Sequence, residues 1–183
     1  MFVKRGLNKV RTLFVYFWNQ ITKYRNITWK GIPAEVRSID SIEIDKKSKI
    51  SIGIKFAMRK NSYIECKDGG ELMIGDSVFL NRGCMITCLK SISIGNHCIF
   101  GPSVKLYDHD HVFERGGVVP GRYKCGNIVI EDNCWIGAGA VILKNTHIGA
   151  GSIIGAGTIV CGDIAQGSIV KSNRQLVISK LKD

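Results

Sequence analysis

The chain has only three prolines, no acidic residue before Glu35, and no Cys-x-x-Cys pair among its seven cysteines. Each absence excludes something. Without paired cysteine spacing there is no zinc-finger or dithiol redox motif, and the cysteines read as reduced thiols of a cytosolic protein. No apolar run reaches the roughly 20 residues of a spanning helix, because Arg11 and Asn19 interrupt the one apolar stretch near the N-terminus. The centre of that stretch, LFVYFW, is short for a secretion signal, and no A-x-A site follows it. No serine stands in a nucleophile-elbow context, which favours direct attack by an acceptor over a covalent acyl-enzyme. Glycine is abundant, at 21 residues, but lacks the triplet period of collagen. The formal charge of +11 is uneven: seven basic residues precede Glu35. With no groove-sized basic surface legible in the remainder, no nucleic-acid partner is expected.

What the chain does have is a period of six. From residue 130 the blocks open on Ile130, Ile136, Ile142, Ile148, Ile154 and Val160, and the fifth places are Cys134, Ala140, Thr146, Ser152, Thr158 and Ile164. Six is neither the 3.6 of a helix nor the 2 of an alternating strand. It is the period of a hexapeptide β-helix, with the aliphatic residue inward and the small fifth residue filling the space beside it. Gly137, Gly149 and Gly155 hold the second place, where glycine is expected to let the backbone turn at positive φ. Cys84, Cys98 and Cys134 fall at inward places and read as core. One coil cannot bury its own aliphatic face, so coils must stack.

Three segments follow. Residues 1–30 form a basic amphipathic helix, with Val3, Leu7, Val10, Phe14, Phe17, Trp18 and Ile21 on one face and Lys4, Arg5, Lys9 and Arg11 on the other. Such a helix either packs on the solenoid, hiding a sheet edge, or lies on an anionic membrane surface. Residues 31–170 are the solenoid. Its early part is ragged, with KDGGEL (67–72) read as a bulge and Ile42, Ile44, Ile50, Ile52, Ile54, Met58 and Ile64 keeping the aliphatic beat. Ile94 to Ile130 is 36 residues, the length of two 18-residue coils, yet DHDHVFERGGVVPGRYKCGN (108–127) breaks the pattern and reads as a projecting loop. Residues 171–183 are a basic tail whose VIS piece adds a strand at most.

Of the four histidines, His97 and His147 sit at turn or outer places. His109 and His111 alternate with Asp108 and Asp110 where the solenoid gives way to the loop. An imidazole there can take a hydroxyl proton while a neighbouring group orients it. Two His and two Asp also suggest zinc, but alternate residues on an extended segment rarely complete a tetrahedral site, so no metal is expected.

The pieces FLNRGC (79–84), SIGNHCIFGPSVKLYDHDH (93–111), IVIEDNCWIGAGAVI (128–142) and IGAGSIIGAGTIV (148–160) resemble the left-handed β-helix, hexapeptide-repeat O-acetyltransferases of the maltose, galactoside and polysaccharide group. The resemblance implies a left-handed parallel β-helix, all-β apart from the N-terminal helix, and a homotrimer with active sites between subunits. It implies acetyl-CoA as donor and a saccharide as acceptor. His111 matches the family's catalytic histidine and Asn81 its acceptor-site asparagine; His109, Asp108 and Asp110 join the acceptor side. The bare reading of Asn81 is a left-handed turn residue, and that of Trp135 is packing. By resemblance, Trp135 lies beside the thioester and Ala138 and Ala156 line the pantetheine channel; a backbone N–H near Gly137–Ala138 is expected to meet the oxyanion, and Lys171 and Arg174, in a tail that departs from the family's, are the cations left to meet phosphates. Departures are Cys88 and Leu89, where the galactoside enzymes carry acids, Gly162 in place of a lysine, and KSNRQ (171–175) as the tail.

The expected function is acetyl-CoA-dependent O-acetylation of a saccharide in surface-polysaccharide assembly, in the cytoplasm, with residues 1–30 touching the inner membrane face or only the fold. Rival readings are N-acetylation of a nucleotide-linked amino sugar, a γ-carbonic-anhydrase-like hydratase, and a binding scaffold without catalysis.

Overall fold

A computed structural model describes Val10, Leu13, Phe14 and residues 26–36 and 41–173. The chain winds into six coils and a partial seventh. They are β1 (Ile27–Trp29), β2 (Glu35–Val36) and β3 (Ile42–Ile44); β4 (Lys49–Ile52), β5 (Ala57–Met58) and β6 (Tyr63–Cys66); β7 (Glu71–Ile74), β8 (Phe79–Leu80) and β9 (Met85–Cys88); then β10 (Ser91–Ile94), β11 (Ile99–Phe100) and β12 (Lys105–Tyr107). An antiparallel hairpin of β13 (His109–Glu114) and β14 (Gly117–Cys125) intervenes. Winding resumes with β15 (Asn127–Ile130), β16 (Trp135–Ile136), β17 (Val141–Ile148), β18 (Ile153–Ile154), β19 (Ile159–Ile164) and β20 (Ile169–Val170).

Parallel pairing stacks these strands into a three-faced, left-handed β-helix. The first face runs β1-β4-β7-β10-β15 and on to the C-terminal half of β17; the second runs β2-β5-β8-β11-β16-β18-β20; the third runs β3-β6-β9-β12 to the N-terminal half of β17. Long strands β17 and β19 bend around the corner between the third and first faces, pairing on both. We call the edges the first corner (first to second face), the second corner (second to third) and the third corner (third to first).

The six-place reading holds at its inward positions. Ile130, Ile136, Ile142, Ile148, Ile154 and Val160 are all buried, as are Cys84, Cys98 and Cys134. The fifth place is small and, in several hexads, a donor. Cys98 Sγ lies 3.1 Å from the Glu131 carbonyl, Cys134 Sγ 3.4 Å from that of Gly149, and Ser152 Oγ 3.1 Å from that of Ala165. These side chains satisfy corner carbonyls that face away from water. Burial pushes the Cys84 thiol up to about 11, so it behaves as a small core residue.

Four expectations change. First, Gly137, Gly149 and Gly155 are not in the left-handed region; the fourth-place residues are, including Gly139, Gly151, Gly157, Asn133 and Asn145. The second-place glycine is required by proximity instead: a Cβ on Gly137 would lie 2.6 Å from the Ala156 nitrogen, and one on Gly149 2.4 Å from that of Gln166. Second, coil length varies. Ile50, Leu72, Ile92, Ile128, Thr146 and Gly162 pair in succession, in steps of 22, 20, 36, 18 and 16 residues. The 36-residue step is therefore one coil with a hairpin inserted, since Ile94 pairs directly with Ile130. Third, KDGG (67–70) is a corner turn with Asp68 and Gly69 at positive φ, and Ile54 stands exposed at a corner. Fourth, the solenoid begins at Ile27, inside the segment assigned to the helix, because β1 pairs with β4. Of the N-terminal helix, Val10, Leu13 and Phe14 are helical and exposed; its other residues, and the VIS piece of the tail, lie outside the described residues.

Candidate active site

The stretch 108–127 is an ordered hairpin whose root is built on Asp108. Following the alternation of β12, Asp108 points inward like Leu106 and is 0% exposed. Its carboxylate accepts the backbone N–H groups of Leu89 (2.9 Å), Lys90 (2.7 Å) and Ser91 (3.0 Å), which form the third corner of the preceding coil. Its carbonyl accepts the Gly126 N–H at 2.7 Å, closing the hairpin. A buried carboxylate is stable only when so supplied with donors. Asp108 is therefore an anchor and cannot meet an acceptor, contrary to its assignment from sequence.

His109 Nδ1 lies 3.1 Å from Asp108 Oδ1, and the His109 side chain is only 13% exposed. His111, two residues along β13, lies on the same face of the strand and is exposed. Tyr123, on β14, pairs in register with His111. Its ring centroid is 5.2 Å from that of His109, nearly perpendicular at 85°, and 5.0 Å from that of His111 at 47°. Asp110 turns to the other side, where Lys144 Nζ meets its carboxylate at 3.1 Å across the third corner. The four DHDH residues thus separate into an anchor, two imidazoles sharing a tyrosine, and an ion-paired carboxylate. Cys125, opposite His109 in the hairpin, is exposed, and partial desolvation with the neighbouring Asp108 carboxylate pushes its thiol up.

Tyr123 and Lys144 were not evident in the sequence. Their signal was the two-residue turn Arg115–Gly116 between short extended runs, a hairpin length. Pro120, Gly117 and Gly121 concealed it, since proline and glycine inside a run argue against a strand.

The second corner carries the other assigned residues. The Asn81 N–H bonds to the Phe100 carbonyl (3.1 Å), that of Gly101 to Ile136 (2.8 Å), that of Gly137 to Ile154 (2.7 Å) and that of Gly155 to Val170 (2.7 Å). Asn81, Gly101, Gly137, Gly155 and, directly after Val170, Lys171 therefore form one column along the axis. Ala138 and Ala156 follow it by one residue and are exposed. Asn81 is not left-handed, so the turn-residue reading fails; its Oδ1 accepts the Arg82 N–H at 2.9 Å. Trp135 stands outward on the second face, 54% exposed, so within one chain it is not a packing residue. The Gly137 N–H is already engaged by the Ile154 carbonyl. Arg174 lies outside the described residues.

The third face separates the two corners. Its three- to four-residue strands are roughly 10–13 Å long at about 3.3 Å per residue, so the histidines and the Asn81–Lys171 column occupy different edges of one chain. Among the described residues no group of three or more His, Cys, Asp or Glu side chains converges as metal ligands, and no helix is long and apolar enough to cross a membrane. His147 is a surface residue paired with Glu131 at 2.9 Å, and His97 is a corner residue at positive φ.

Comparison with known proteins agrees with this architecture. Residues 127–162 match the bacterial transferase hexapeptide family (six repeats). A galactoside O-acetyltransferase of Lactococcus lactis is 30% identical over 115 residues, 63% of this chain and 56% of the relative, so the shared part is little over half of that protein. A candidate lipopolysaccharide biosynthesis O-acetyl transferase of Escherichia coli, WbbJ, is 22% identical over 166 residues, 86% of this chain and 81% of the relative. Among solved structures, a variant of AntD, an N-acyltransferase from Bacillus cereus in complex with dTDP and coenzyme A, superposes with a TM-score of 0.66 at 16% identity, covering 86% of this chain and 83% of that one. Repeat, coiled parallel sheets and relatives converge on one likeness: the chain is similar to the hexapeptide-repeat acetyltransferases.

Proposed function

We propose that this protein transfers the acetyl group of acetyl-CoA to a saccharide hydroxyl in surface-polysaccharide assembly, as a homotrimer whose active sites lie between neighbouring copies. The observation that carries the reading is the column Asn81, Gly137–Ala138, Ala156 and Lys171 along the second corner, with exposed Trp135 beside it. Its backbone is open to a thin, extended donor, and it ends in a cation suited to phosphate. The histidines sit on another edge of the same chain, so a site uniting both edges takes one from each of two copies, as closed cyclic symmetry allows.

In this reading His111 accepts the proton of the sugar hydroxyl as its oxygen attacks the thioester carbonyl. The tetrahedral oxyanion meets the Ala138 N–H, a fixed dipole of the kind that contributes on the order of 10²–10³ in rate. The C–S bond then breaks, and the thiolate leaves as free CoA thiol once it takes the proton from His111. No acyl-enzyme is formed. Exposed Val10, Leu13 and Phe14, in a segment rich in cations, support a second part of the proposal: reversible docking on the cytoplasmic membrane face, beside a lipid-linked glycan.

A second reading, N-acetylation of a nucleotide-linked amino sugar, draws on the AntD likeness. One assay separates the two. Purified protein with acetyl-CoA is offered galactosides, polysaccharide repeat units and dTDP-linked amino sugars, and release of CoA thiol is followed. Release with hydroxylic saccharides is the expected result. Release only with an amine would transfer the case to the second reading, and release with none of them would end both.

A further inference from the structure

The buried anchor, the two imidazoles and the tyrosine form a continuous chain of contacts. Asp108 is fixed by three N–H groups of the preceding coil and holds His109 through Nδ1. His109 packs edge-on against Tyr123 at 85°, and Tyr123 lies against His111 at 5.0 Å. Of these, only His111 is exposed. Without such support an exposed histidine on a two-stranded ribbon would sample several rotamers, because an isolated hairpin is marginal by itself.

We propose, resting on the acetyltransferase reading, that Tyr123 and His109 are positioning residues for His111. Asp108 and His109 hold the tyrosine ring, and the ring holds the imidazole of His111 and attracts the positive charge it gains on taking the acceptor proton. The second effect follows from the quadrupole of an aromatic ring, which draws a cation within about 6 Å of its centroid. That attraction is absent in the ground state, when the imidazole is neutral, and present as the proton moves, so it acts on turnover more than on binding. On this account His109 is not the base, because its side chain is only 13% exposed and its ring packs against Tyr123, whereas His111 is open to an acceptor. The phenolic hydroxyl of Tyr123 has no part; the ring does.

Two variants separate ring from hydroxyl. Tyr123→Phe keeps the ring and should retain turnover within about twofold. Tyr123→Leu removes it and should lower kcat about tenfold with KM for acetyl-CoA unchanged. That figure lies between the few-fold loss of a ring–cation contact at an exposed site and the roughly hundredfold of a 1 Å misplacement. The contact itself is read without activity. Ring-proton NMR resonances of His111, assigned by their loss in His111→Ala, should carry the ring-current shift of Tyr123, keep it in Tyr123→Phe and lose it in Tyr123→Leu. Tyr123 lies outside the solenoid core, so a wild-type melting temperature in each variant confirms that the fold is intact. Kinetics use whichever saccharide the wild type acetylates, beginning with a p-nitrophenyl galactoside. Unchanged kcat in Tyr123→Leu, an equal loss in Tyr123→Phe, or unmoved His111 resonances in Tyr123→Leu would each overturn the proposal. If the wild type acetylated no saccharide, the functional reading would fall, while the NMR comparison would still decide whether the clamp exists.

Discussion

The solenoid and the hairpin are built from the same extended backbone and are held in opposite ways. In the solenoid every inward place repeats, each coil sits on the next, and buried aliphatic residues do most of the work. In the hairpin neither strand reaches the core, Phe113 and Val118 are exposed near its tip, and position depends on individual side chains: Asp108 at the root, Lys144 against Asp110, Tyr123 against the histidines. A repeating surface cannot by itself present an unusual group at one place. The insertion does so, at the cost of a buried charge.

This contrast can be broken from both sides. Removing the proposed base should have the largest effect and leave the solenoid untouched: His111→Ala should lower turnover by roughly 10²–10⁴, the range for loss of a general base, with an unchanged melting temperature. His109→Ala should cost turnover much less. A dead His109→Ala beside an active His111→Ala would reverse the two assignments. Asp108→Ala should affect both regions, because it orphans the N–H groups of Leu89, Lys90 and Ser91 at about 1–3 kcal/mol for each buried donor left unmet. Denaturant unfolding together with proteolysis of the hairpin would show it. A variant as stable as wild type would mean that the anchor is dispensable.

Within the solenoid, two glycines two residues apart should fail for different reasons. Gly137→Asn adds a Cβ 2.6 Å from the Ala156 nitrogen and should cost about 1–3 kcal/mol as overpacking. Gly139→Asn meets nothing within 4 Å at φ +66, a conformation asparagine accepts, and should be nearly neutral. Equal losses in thermal melts would refute the distinction.

A smaller effect is expected in acid. Backbone and side-chain donors hold Asp45 at about 2, with the Ser48 hydroxyl contributing most; the His147 bond holds Glu131 below the usual carboxylate range, and Asn96 does the same for Asp132. Each group is lowered in the folded state, so its contribution is complete above its unfolded pKa of roughly 4 and disappears as the pH falls through its folded value. Melting temperature should therefore decline from about pH 4 toward pH 2. A flat profile there would contradict these corner interactions. At the N-terminus, flotation with anionic vesicles, weakened by salt and lost on deleting residues 1–25, is the expected sign of docking. A full-length protein left behind by anionic vesicles at low salt would make the helix a cap on the fold.

How much of this was legible depended on whether a residue's role was local. Ile136 or Ser152 is explained by its place in its own hexad, so the C-terminal coils could be read directly. The early coils were harder, because steps of 22 and 20 residues lengthen individual corners without altering the inward pattern. The 36 residues between Ile94 and Ile130 matched two coils by coincidence, since the hairpin is about as long as a coil. The second-place glycines stand out in the sequence, but the reason for them lies in the next coil and not in their own torsion angles. In the site, His109 and His111 stood out as a pair. Asp108 reads as a loop residue in the DHDH stretch, whereas alternation from Leu106 turns it inward. Tyr123 and Lys144 could not be placed at all, because their partners come from cross-strand register and from the following coil.

The most direct test of the central claim is complementation between inactive chains. His111→Ala and Asn81→Ala each remove one half of a site to which, on this account, neighbouring copies contribute. Co-assembled one to one, the two variants should regain roughly one quarter of the wild-type rate, the fraction of interfaces in a randomly assorted ring that combine an intact His111 with an intact Asn81. Each variant alone should remain inactive. A mixed assembly no more active than the separate variants, with subunit exchange demonstrated, would contradict a site shared between the third corner of one chain and the second corner of the next.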